Sequence, residues 1–105
     1  MPAPEGFGSV SPCIRHMGVH YVRKAEWPLG PILGYDENGN LIFIEYMVSQ
    51  KDLQEGVSWE NLPGIAGRPI DHTNIHFHPK GHRGWEIPHY DIHRYFIKTD
   101  AVHHV

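Results

Sequence analysis

Between residues 72 and 95 the chain reads HTNIHFHPKGHRGWEIPHYDIHRY, and this one segment carries six of the protein's ten histidines, His72, His76, His78, His82, His89 and His93, with Asp91 among them. Imidazole and carboxylate donors at this density point to transition-metal chelation, which needs donors that converge to about 2.0–2.2 Å from one ion. Spacing decides which donors can cooperate. At the period of two that a strand imposes, His72, Asn74, His76 and His78 share one face, and His89, Asp91, His93 and Tyr95 share another. His76 and His78 would have Cα atoms about 6.6 Å apart and could share an ion. His89 and His93 would lie about 13 Å apart on a regular strand, so only one of them enters a given shell, with Asp91 as co-ligand or as the acceptor that orients an imidazole.

Two further donors come from the N-terminal half. In LIFIEYMV, Leu41, Phe43, Glu45 and Met47 share a face, so Glu45 sits in an apolar row. An unpaired carboxylate there costs several kcal/mol or shifts its pKa, and it asks for a cation. His20 is the second donor of that half, and strands from it would complete the shell. The bland alternative for this pair is a hydrogen-bonded imidazole and an edge carboxylate. His16 is a weaker candidate, and Cys13, although spaced C-x2-H-x3-H with His16 and His20, reads better as a small buried hydrophobe. The metal set is therefore His20, Glu45, His76, His78, His89, Asp91 and His93. If the shell leaves an open position, His82, in the glycine-flanked KGHRG, and Tyr95 are the candidate catalytic groups. Zinc is the default ion, with iron, copper and nickel as alternatives; the absence of a cysteine cluster argues against Cu(I) and iron–sulfur chemistry.

The elements that must position these groups are mostly strands. Residues 72–78 and 89–95 alternate, and the loop between them is long enough for antiparallel pairing. Asn38-Gly39 between PILGY and LIFIEYMV predicts a β-hairpin over Ile32 to Val48. CIRHMGVHYVR reads as another strand. Ser49 resembles a helix N-cap with Asp52 three positions on, and Gly56 would stop that helix after about two turns. Residues 57–70 read as a loop packed by Trp59 and Leu62. The expected fold is mainly β (or α+β): a small antiparallel β-rich domain over 13–98, barrel-like in one version, with one short helix, an extended arm at 1–12 and a frayed tail at 99–105.

Composition narrows the function classes. At 105 residues the chain makes one domain with a modest core, which self-association would assist. The net charge of -3 offers no basic field for nucleic acid or an anionic membrane. A single cysteine excludes an intramolecular disulfide. The N-terminus has neither a basic nor an apolar signal region, so the chain is expected to be soluble, cytoplasmic as given or periplasmic if a signal was removed. No nucleophile elbow, phosphate loop or dinucleotide fingerprint is present.

Met17-Gly18-Val19-His20, Gly30-Pro31-Ile32, Leu41 through Met47, His78-Pro79-Lys80-Gly81-His82 and above all Pro88-His89-Tyr90-Asp91-Ile92-His93 resemble an uncharacterised bacterial histidine-rich domain family. That family is related to a ring-forming protein of a thermophile controlled by an extracytoplasmic-function sigma factor. The resemblance implies a compact β-rich domain, ring-like homo-oligomers, frequent export with a signal segment this chain lacks, and no established activity. It also implies that His20, Glu45, His89 and His93 form a convergent set. Three functions stay open: a small metalloenzyme of unknown substrate, a non-catalytic oligomeric metal-sensing, scavenging or stress-response protein, and a metal-free histidine protonation switch.

Overall fold

LIFIEYMVS, the most apolar run of the chain, is also its central strand, and every residue from Ile42 to Ser49 is buried. The computed structural model describes residues 3–11 and 17–105. Its strands are β1 (Gly8–Ser9), β2 (Val19–Val22), β3 (Ile32–Tyr35), β4 (Leu41–Ser49), β5 (His72–His78) and β6 (His89–Tyr95). They form one antiparallel sheet in the order β1-β2-β3-β4-β6-β5. The sheet is mainly β, as expected, but open: β1 and β5 are its edges, so it does not close into a barrel. Among the described residues there are two short α-helices rather than one, α1 (Gln50–Gln54) and α2 (Thr99–Val102), besides a 3-10 turn at Lys24–Glu26.

Local chemistry accounts for these elements. The β3–β4 hairpin turns at 36–40, where the Asp36 carboxylate accepts from the Asn38 and Asn40 backbone N–H groups and Gly39 supplies a φ of 80°. Ser49 Oγ accepts from Asp52 N and so caps α1. The expected arm contributes β1, and in the expected tail Val102 and Val105 of the α2 region pack against Ile42, Phe43 and Tyr95. Cys13 and His16 lie outside the described residues.

Both faces of β4 are covered. On one, Phe7, Tyr21, Leu33, Tyr35, Ile44 and Tyr46 form the largest apolar cluster, with Leu62, Ile65 and Ile70 from the long 57–70 loop against it. Tyr46 Oη donates to the Pro63 carbonyl and fastens that loop. On the other face, Val22, Ile32 and Met47 pack with Trp27 and Trp85. Register then assigns the histidines. Glu45 is opposite His93, Met47 opposite Asp91 and Ser49 opposite His89, while His76 and His78 on β5 face Asp91 and His89. His20 is opposite Gly34, which is opposite Phe43. Among the described residues, the candidate ligands on β2, β4, β5 and β6 therefore share the tryptophan-covered face.

β6 buries the face that a hydrophobicity rule would leave wet. Its burial alternates so that His89, Asp91, His93 and Tyr95 are inside, while Tyr90, Ile92 and Arg94 are only half-buried. β5 at the edge is largely exposed on both faces.

Candidate metal centre

His20, Glu45 and His93 come from β2, β4 and β6, and their ligand atoms lie within 4.8 Å of one another. Glu45 Oε1 is 3.3 Å from His93 Nε2 and 3.7 Å from His20 Nε2. Donors held at about 2.1 Å around a tetrahedral ion stand about 3.4 Å apart, so these separations need little adjustment. Glu45 is 3% exposed and His93 4%. His93 Nε2 is buried without a hydrogen-bond partner, an arrangement that costs free energy unless something occupies the gap.

Neighbouring residues hold this group in place. The Phe43 ring meets His20 and His93 edge-on, with centroids 5.2 and 4.8 Å away. It can lie there because Gly34 has no side chain: a Cβ at that position would sit 2.1 Å from the Phe43 ring. His20 reaches Glu45 diagonally across β3 over the same gap, and its Nδ1 lies 3.0 Å from Ser11 Oγ, which also accepts from the His20 backbone N–H. Burial lowers the His20 pKa, with Glu45 opposing the shift, and thereby favours the neutral imidazole a metal requires.

A second group forms one step along β6. His82, His89 and Asp91 place ligand atoms within 4.8 Å of one another. His89 Nε2 is 2.9 Å from Asp91 Oδ1, and His82 Nε2 is 3.7 Å from Asp91 Oδ2, while His78 Nε2 is 3.1 Å from the same oxygen.

The expected ligands thus separate into two sets. His89 does not join His20, Glu45 and His93, because β6 is regular and His89 and His93 are four residues apart on it. His76 is exposed, and His78 reaches Asp91 without it. His82, expected as a catalytic aid, stands among the donors. Tyr95 is buried wall: it stacks on His72 with centroids 4.9 Å apart and packs against Phe43, and burial raises its pKa, which keeps its hydroxyl protonated at neutral pH. Among the described residues one surface cleft is lined by Val22, Trp27, Arg83 and Gly84 and another by Asp36, Asn40, Ile97 and His104; neither lining includes a donor of either group. Among the described residues no helix is long and apolar enough to cross a membrane.

No family model matches the sequence, and no curated protein matches it. Among solved structures, the hypothetical protein TTHB210 from Thermus thermophilus shares 31% sequence identity with this chain, covering 93% of it and 94% of its own length, with a TM-score of 0.79.

Proposed function

The chain belongs to the same family as that Thermus thermophilus protein, and from this premise and the buried donors of β6 we propose that it is a metal-binding protein holding a divalent transition-metal ion at His20, Glu45 and His93. The observation that carries the reading is the unpartnered Nε2 of buried His93, 3.3 Å from the buried Glu45 carboxylate. A cation between them converts two costly polar groups into ligands. Two imidazoles and one carboxylate suit zinc first, with iron, copper and nickel as alternatives.

The physiological role we propose is non-catalytic, as a metal sensor, scavenger or stress-response protein that self-associates. The near-complete burial of Glu45 and His93 supports that choice. Self-association is supported by β5, an edge strand with unpaired backbone groups on its outer side and with Ile75 63% and Phe77 40% exposed. One observation favours a second reading, a small metalloenzyme: three protein donors leave a coordination position that a water or a substrate could fill.

Zinc titration of the chelated protein tests the reading. Wild type is expected to take up an equivalent that Glu45→Gln does not bind, although the substitution preserves shape. Equal uptake by the two proteins removes this site.

A further inference from the structure

His89 makes a hydrogen bond through Nδ1 to the Ile87 carbonyl at 2.8 Å. A carbonyl only accepts, so the proton of the neutral ring resides on Nδ1 and the Nε2 lone pair is bare. That lone pair lies 2.9 Å from Asp91 Oδ1, an acceptor, with His89 0% exposed. Both atoms are buried and neither has a hydrogen-bond partner. Two acceptors at this distance repel unless a metal ion or a second ring proton joins them. His82 resembles this arrangement, with Nδ1 3.3 Å from the Arg83 carbonyl and Nε2 3.7 Å from the other Asp91 oxygen. An imidazole that gives its second N–H to a backbone carbonyl is the usual arrangement of a metal ligand.

His82 is the one donor of this group outside a strand, and its loop is built to deliver it. Residues 79–88 fold back over the histidine face: His82 and Trp85 exchange backbone hydrogen bonds, and Gly81 N donates to the His78 carbonyl. Gly81, at φ 69°, lies so close to Trp85 and Ile87 that a Cβ would be 2.3 Å from the Trp85 carbonyl oxygen. Trp85 lies over His89, with ring centroids 4.3 Å apart, and anchors the loop in the apolar cluster of Val22, Ile32 and Met47.

We propose that His82, His89 and Asp91 form a second, separate site for a divalent transition-metal cation, and that the ion clasps the 79–88 loop onto the sheet. His78, 3.1 Å from the outer Asp91 oxygen, positions the carboxylate from the far side. The site is distinct from the first because the donor atoms converge in two separate groups, His20, Glu45 and His93 in one and His82, His89 and Asp91 in the other, with no residue in common. The inference stands on the His89, His82 and Asp91 geometry and does not require the first site.

The test uses zinc alone as the probe, with uptake measured by elemental analysis and the loop followed by trypsin cleavage after the exposed Lys80 and Arg83. His82 and His78 are partly exposed, so His82→Ala and His78→Ala should fold. Zinc is expected to slow cleavage of the loop in wild type and in Glu45→Gln. His82→Ala is expected to lose one equivalent and the protection, and His78→Ala to weaken binding by at least about tenfold, the scale on which outer partners of a metal act. Undiminished uptake by His82→Ala overturns the proposal. So does a loop cut equally fast with and without bound zinc. If the first site fails and this one holds, wild type and Glu45→Gln each bind a single equivalent that His82→Ala loses.

Discussion

Two kinds of side chain carry the account at the level of single residues: buried acceptors that face one another and buried hydroxyls that find a partner. Glu45 belongs to the first kind, and its carboxylate is paired only with imidazoles, those of His20 and His93, among the described residues. Zinc at one hundred times its Kd adds about 2.7 kcal/mol to the folded state. For a chain of this size that corresponds to a rise in Tm on the order of 10 °C. In Glu45→Gln the contribution of the first site to that rise is expected to vanish, which differential scanning calorimetry with and without zinc would show. Tyr46 belongs to the second kind. Its hydroxyl donates to Pro63, and burial pushes its pKa up to about 12. Tyr46→Phe is expected to cost about 1 kcal/mol in urea unfolding at neutral pH. A folded-state pKa above the unfolded value of about 10 means that the native protein holds the proton more tightly, so this stabilisation is complete below pH 10 and is lost as pH rises from 10 towards 12. The substitution is therefore expected to flatten the alkaline decline in stability; an unchanged decline would contradict the assignment.

At the scale of elements, β4 and β6 do most of the positioning, and much of this was legible. Alternation in HTNIHFH and HYDIHRY marked two paired strands, the Asn38-Gly39 turn marked the β3–β4 hairpin, and the Ser49 cap appears with the partner expected. Removing that cap by Ser49→Ala is expected to cost about 1 kcal/mol. Spacing on a regular strand assigned His89 and His93 to different shells, whereas the resemblance grouped them; on β6 they fall in two different donor groups. Other features were not legible, because they depend on which elements adjoin. Nothing local to β2 says that it sits two strands from β4, so the residue pattern could name His20 without its partners, which only the resemblance grouped with it. Alternation defines two faces of β6 without saying which is inside, and the answer runs against hydrophobicity. The role of Gly34 is equally non-local, since it exists to admit the ring of a residue on the next strand. Gly34→Ala is expected to displace Phe43, lower stability by about 1–3 kcal/mol, and weaken zinc binding at the first site while leaving the second intact. Titration against both sites would separate these effects; an unaltered first site would show that Phe43 does not support it.

Over the whole molecule, the open sheet ends at β5 with Ile75 and Phe77 exposed on its far side. A chain this short gains much from covering such a surface. If self-association uses that edge, Ile75→Lys is expected to shift light-scattering mass in gel filtration towards the monomer without altering metal content, because Ile75 points away from the histidine face. A mass unchanged by the substitution would place the interface elsewhere. Metal and assembly would then be separate properties, one of each side of the sheet.

The most direct measurement is elemental analysis of protein purified without an affinity tag, before and after chelator dialysis and after zinc reloading, with Tm recorded at each stage and Glu45→Gln carried in parallel. A transition metal is expected to be bound in stoichiometric amount, lost together with thermal stability, regained with zinc, and reduced by one equivalent in Glu45→Gln. A wild-type protein that remains metal-free in zinc, with a Tm that neither chelator nor zinc moves, would contradict that expectation.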